Sequence, residues 1–195
     1  HHFDTVPALY KHSDDEHFML PEFYEKEKEI IQFILELSRQ KPNPVVPKDI
    51  GKLDKIQTSI LAGVLSNNIT IITGKPGTGK SEIIGSVISN TNTVVLAPTG
   101  CAVENLQKRF PHAAARCMTM HSFYYRKAEV KATTFIIDEF SMVDIFIFHK
   151  IIGKIKKLNL SELRLILVGD PDQLPSIKLG QLLGDMIKSK IVPIF

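Results

Sequence analysis

One stretch constrains this chain more than any other: Ile69-Thr-Ile-Ile-Thr-Gly-Lys-Pro-Gly-Thr-Gly-Lys-Ser81. The β-branched run Ile69 to Thr73 predicts a buried strand, and the glycines after it force a turn that opens a helix at about Gly79. Gly74, Gly77 and Gly79, with Pro76 and Thr78 between them, let the backbone curl so that successive N–H groups point inward. A helix N-terminus adds partial positive charge to the same hollow. The spacing Gly74-x-x-x-x-Gly79-Lys80-Ser81 fits a phosphate-binding loop, in which Lys80 meets the outer phosphates as a point charge and the Ser81 hydroxyl ligates Mg²⁺. A glycine-rich turn with a lysine beside it is the plainer alternative; the flanking strand and helix favour the phosphate.

Composition narrows the setting. The chain has 195 residues, 44% of them hydrophobic and 23% charged, which suits one well-buried domain with an appendage or two small ones. No apolar run approaches the roughly 20 residues needed to span a bilayer, and no signal peptide is legible, so an intracellular protein is expected, cytoplasmic if bacterial, with no membrane partner. Two cysteines, Cys101 and Cys117, make no disulfide framework, and no Cys/His cluster has zinc spacing. A net charge of +3 permits a polyanionic partner without requiring one.

Residues 1–47 are expected to form a lead-in: a polar start, an amphipathic helix over Glu22 to Ser38 with Phe23, Ile30, Ile34 and Leu37 on one face, then a proline-rich linker ending at Pro47. The helix is read as packing on the neighbouring domain, 48–195. There helix signals (Asp54 to Leu65, with Ile56, Ile60, Leu61 and Val64 inward; Gly79 to Ser89; Thr99 to Phe110; Val143 to Leu158) alternate with strand signals. The strands are Ile69 to Thr73, Thr93 to Ala97, Arg116 to Met120, Thr133 to Ile137 and Leu163 to Val168. Such alternation predicts an α/β fold, a parallel sheet with helices on both faces, whose ligands bind beyond the carboxyl ends of the strands.

Two more motifs begin at such ends. Phe135-Ile-Ile-Asp-Glu139 closes an apolar strand with two carboxylates: Asp138 suits a Mg²⁺ shell, Glu139 the polarising of an attacking water. Taken alone the pair is equally a helix cap or a solvated turn. Leu165 to Pro175 turns sharply at Gly169 and Pro171, and Gln173 offers an uncharged amide able to bond both a γ-phosphate oxygen and a water. A proline-rich β-turn is the alternative there.

Together these residues resemble the first RecA-like motor domain of superfamily 1 helicases, of the RecD-like, 5′ to 3′ translocating group, from about Leu53 to Leu183. Leu53-x-x-x-Gln57 is similar to the family's adenine-recognising glutamine motif. Ala97-Pro-Thr-Gly-x-Ala102 and Met118-Thr-Met-His-Ser-Phe123 resemble its contacts to single-stranded nucleic acid. Ile137 to Asp144 and Gly169 to Pro175 resemble its hydrolysis and coupling motifs, and Leu20 to Glu27 is a weaker match to the segment leading into the motor.

The resemblance implies a RecA-like P-loop NTPase domain that takes ATP and Mg²⁺, a second RecA-like domain in the full-length protein, and single-stranded nucleic acid, DNA before RNA, as partner. Nucleotide would lie on Gln57, Gly74, Pro76, Gly77, Thr78, Gly79, Lys80 and Ser81, metal on Ser81 and Asp138, and the catalytic roles would fall to Lys80, Glu139 and Gln173. Nucleic acid would meet Pro98, Thr99, Gly100, Thr119 and His121. Cys101 departs from the family's usual basic residue, and the short span from Phe123 to Phe135 leaves little room for the strand-separating hairpin that relatives often insert.

Phe123, Tyr124 and Tyr125 are read as core aromatics before base-stacking ones, and His121 as structural before catalytic. Lys150, Lys154, Lys156 and Lys157 are read as a solvated face. Two other classes share the phosphate loop. A nucleoside or nucleotide kinase would want an arginine-bearing lid and an acceptor pocket; a P-loop switch would bind nucleotide without translocating.

Overall fold

The β-branched runs become strands because each is short, continuously apolar and bounded by turn-formers. They are β1 (Ile69–Thr73), β2 (Thr93–Ala97), β3 (Cys117–Thr119), β4 (Thr134–Ile137) and β5 (Arg164–Gly169). In this computed structural model, which describes residues 21–48, 50–75, 77–128, 130–158, 162–170 and 182–195, all five pair in parallel in the order β1-β5-β4-β2-β3.

The helices are α1 (Pro21–Arg39), α2 (Lys55–Leu65), α3 (Lys80–Asn90), α4 (Gly100–Arg109), α5 (Met120–Tyr125), α6 (Ile145–Ile155) and α7 (Leu182–Ser189). Alternate strand residues feed two cores. Ile71, Leu96, Phe135 and Leu167 face α1 and α6, while Ile72, Val95, Ile136 and Val168 face the apolar sides of α2, α3 and α4. A sheet buried on both faces needs apolar residues at every position, which is why its strands do not alternate with polar ones.

On the first helix Ile30, Ile34 and Leu37, together with Phe33, lie in the same buried cluster as the sheet, while the side chain of Phe23, expected on the same face, lies outside the described residues. The packing is continuous across the proline-rich segment. Arg164 at the start of β5 is buried and donates to the carbonyls of Asn43 at 2.7 Å, Leu65 at 2.9 Å and Asn67 at 3.1 Å, tying that segment to the end of α2.

Some expectations need correction. Ile56 is 73% exposed, not inward. At about 100° per residue it lies on the opposite side of α2 from Leu65, and the buried Leu61, Val64 and Leu65 set the inward face. Lys154 is not part of a solvated face: its ammonium donates to the carbonyls of Phe123, Tyr124 and Arg126, capping the C-terminus of α5. Lys150, Lys156 and Lys157 are exposed as read. Phe123 is fully buried, edge-on to Phe135 with ring centres 5.6 Å apart, whereas Tyr125 is 70% exposed and is no core residue. The short helix α5 and the 3₁₀ turns Pro111–Arg116 and Phe140–Met142 have no counterpart in the sequence pattern. None has the length needed for a periodic signal.

Candidate functional site

Register decides what meets at the carboxyl rim. Thr73 of β1 pairs with Gly169 of β5, and Ile137 of β4 with Leu167 of β5. The phosphate loop, Asp138-Glu139 and Asp170 therefore leave neighbouring strands at one level. β5 lies between β1 and β4, leaving a gap between loop and carboxylates that a small ligand can fill. A pocket of about 320 Å³ occupies it, with Gly77, Thr78, Gly79, Lys80 and Ser81 on the loop side. Asp138, Glu139, Gly169 and Asp170 line its strand side.

The loop takes its shape from glycine. Gly74, Gly77 and Gly79 have φ of 152°, 83° and 87°, where a side chain would be strained, and Gly79 caps α3 in the left-handed region. A Cβ on Gly79 would run into the Gln57 amide nitrogen, so α2 is laid directly against the loop. Gln57 is itself the third residue of a capping box. Its side-chain oxygen accepts from the Asp54 N–H at 3.0 Å while Asp54 accepts from the Gln57 N–H at 2.8 Å. Gln57 thus stands at the loop with its carbonyl engaged and its amide nitrogen over Gly79.

Lys80 is folded back on the loop, donating to the carbonyls of Gly74 and, at 3.0 Å, Lys75. These bonds hold the ammonium beside the hollow, where an arriving phosphate would compete for it. Opposite, burial and then the neighbouring Glu139 charge push the Asp138 carboxyl up to about 6. A divalent cation would relieve both effects. Glu139 has φ 52°, a left-handed conformation that is costly for a residue carrying a Cβ and of the kind that concentrates at working sites. Gly169 is required by close approach: a Cβ there would lie 2.8 Å from the Leu183 side chain and 3.1 Å from the Ser141 backbone nitrogen.

Oxygen donors from Ser81 and Asp138 facing one pocket suit Mg²⁺, a hard cation usually held by one or two carboxylates together with substrate phosphates. Among the described residues no group of three or more His, Cys, Asp or Glu forms a metal cage. Pro76 and Gln173 lie outside the described residues.

Farther along the rim, Ala97 pairs with Thr119, which sets the starts of α4 and α5 side by side. Thr99 caps α4, accepting from the Ala102 N–H at 3.2 Å, and Thr119 caps α5, accepting from the Ser122 N–H at 3.0 Å. Thr99, Gly100 and His121 are exposed; Pro98 and Thr119 are half-buried. This second cluster sits beyond β4 from the loop, so the structure separates it from Lys80 while keeping it on the same edge of the sheet.

Two further pocket residues, Glu82 and Arg109, belong to none of the motifs read from the sequence. Glu82 follows Ser81 directly, and a spacing rule could have found it. Arg109 arrives only through the packing of α4 on α3, which no motif encodes.

Residues 52–193 match the family described as AAA domain. The chain is 24% identical to the RecBCD enzyme subunit RecD of Mycolicibacterium smegmatis over 87% of its own length and 37% of that protein. It is 29% identical to the ATP-dependent DNA helicase PIF1 of Rattus norvegicus over 69% of this chain and 24% of that one. A crystal structure of Bacteroides Pif1 bound to ssDNA superposes with a TM-score of 0.50 at 25% identity, covering 71% of this chain and 36% of that one. The chain thus spans well under half the length of these relatives.

Proposed function

Because this chain belongs to the AAA domain family, and within it to the superfamily 1 RecD-like helicase motor domains, we propose that it binds and hydrolyses ATP with Mg²⁺. In the full-length protein that hydrolysis drives 5′ to 3′ movement along single-stranded DNA. The observation that carries this reading is the convergence of Lys80, Ser81, Asp138 and Glu139 on one pocket at the carboxyl rim.

Each residue has a task that follows from its place. The loop N–H groups and Lys80 cradle the outer phosphates, and Gln57 is assigned contact to the adenine base from the family resemblance. Ser81 and Asp138 would hold Mg²⁺, which would supply charge neutralisation to the phosphates when bound. Glu139 orients and polarises the attacking water. Gln173 is assigned the sensing of the γ-phosphate from the family resemblance. Pro98, Thr99, Gly100, Thr119 and His121 grip the backbone of the strand, using helix starts and hydroxyls that read no sequence. Two strand spacings of about 4.8 Å separate β5 from β2, so a change at the phosphates has a short path to the strand.

A second RecA-like domain of the same protein is proposed to supply the remaining charge stabilisation. This chain alone should therefore bind nucleotide, turn it over weakly if at all, and not unwind duplexes. No helix among the described residues is long and apolar enough to cross a membrane. From its proposed action on nucleic acid, the protein is proposed to work inside the cell.

The test is turnover by the full-length protein with and without single-stranded DNA and RNA. Stimulation by the strand, loss of nucleotide binding in Lys80→Ala, and retained binding with turnover down about 10²-fold or more in Glu139→Gln support the motor. Turnover indifferent to any strand points instead to a nucleotide switch.

A further inference from the structure

Among the described residues lining the pocket the cations are Lys80 and Arg109, set against the carboxylates of Glu82, Asp138, Glu139 and Asp170. A polyanionic nucleotide entering so acidic a hollow needs every positive charge within reach, and the family motifs account for Lys80 alone. Arg109 is the last residue of α4. Its position is held by its neighbour: the buried Phe110 ring packs on α3 so closely that a Cβ on Gly85 would lie 3.0 Å from it.

The Arg109 guanidinium donates to Glu82 at 3.0 Å, and both side chains are about half exposed. A pair this exposed to water is weak and can exchange partners. Arg109 lines the same pocket as Asp138 and Glu139, the carboxylates assigned above to the metal and the attacking water, so it stands on the side of the pocket where the terminal phosphate of a triphosphate would extend. Its planar fork suits two phosphate oxygens better than one carboxylate oxygen.

We propose that Arg109 is a nucleotide ligand supplied by this chain itself: on binding of a magnesium triphosphate it leaves Glu82 and takes the terminal phosphate. Glu82 acts as a holder that keeps the guanidinium at the pocket mouth while no nucleotide is bound. The proposal rests on the ATP-binding reading above and adds a charge in cis to whatever the second domain provides.

The experiment titrates the 195-residue chain with fluorescent ATPγS and fluorescent ADP in Mg²⁺, comparing wild type with Arg109→Ala, Arg109→Lys, Glu82→Gln and Lys80→Ala. Thermal melts confirm that each variant is folded. Arg109→Ala should weaken the triphosphate about tenfold, the scale of one charge-assisted contact, and the diphosphate less than about twofold. Arg109→Lys should recover part of the loss, and Glu82→Gln should bind triphosphate as well as wild type or better.

Equal losses for both nucleotides in Arg109→Ala, matching losses in Arg109→Ala and Glu82→Gln, or no loss at all would each overturn the assignment. Lys80→Ala keeps the two levels apart. If it binds like wild type, the nucleotide reading itself fails. If it is defective while Arg109→Ala is normal, only the role of Arg109 falls.

Discussion

The Lys154 ammonium on α6 donates to the Phe123 carbonyl at the end of α5 at 2.5 Å, joining the helix that follows Asp138-Glu139 to the helix capped by Thr119. Two further carbonyls, of Tyr124 and Arg126, complete its cap. Lys154→Met keeps an unbranched apolar side chain but removes the ammonium that lies 5.0 Å over the Phe123 ring and strands those oxygens. It should cost about 1 to 2 kcal/mol, read by urea denaturation of the chain. An unchanged midpoint would mean that water replaces the ammonium without loss.

Arg164 poses the same question in a buried setting. Its guanidinium donates to three carbonyls, and burial holds its pKa below the ordinary arginine value. Arg164→Leu should destabilise by about 3 kcal/mol, since carbonyls at the proline-rich segment and the end of α2 lose their donors away from water. Protease cleavage near Asn43 should accelerate in the same variant.

Gly169→Ala tests close packing at the pocket floor. Side-chain atoms of Leu183 can shift, but the Ser141 backbone nitrogen cannot do so without moving the turn after Glu139. A loss of about 1 to 3 kcal/mol is expected, measured by chemical denaturation. Nucleotide affinity should fall with it.

Glu139 gives the converse case. Its φ of 52° is tolerated better by asparagine, so Glu139→Asn should raise stability by about 0.5 to 1 kcal/mol while abolishing turnover in the full-length protein. A variant both less stable and active would contradict the strain and the catalytic role together.

Glu27 supplies a pH signature away from the pocket. Burial, and then the Asp185 charge, raise its carboxyl above the ordinary value. A folded-state pKa above the unfolded one contributes stability that is fully present below the unfolded pKa and is lost as pH rises through the folded value. Glu27→Gln should therefore melt higher than wild type at pH 7, with the gap closing as pH falls toward 4. A constant gap across that range would show that the charge of Glu27 is not what the burial penalises.

The sequence alone determined the strands, the phosphate loop and the two carboxylates, because each is written locally: a β-branched run ending in glycine, or an apolar run ending in acid. Alternation of those runs with helical ones was enough for a parallel sheet, and that sheet for a site at its carboxyl edge. Tertiary structure decided the rest. The strand order put β5 between β1 and β4, which opened the gap that Mg²⁺ and phosphates would fill. Packing turned Ile56 outward, drew Lys154 onto α5, and carried Arg109 to the pocket on the back of Phe110. None of these can be read from spacing, since each depends on which surface of one element meets another, and that choice is made by the burial of the whole core.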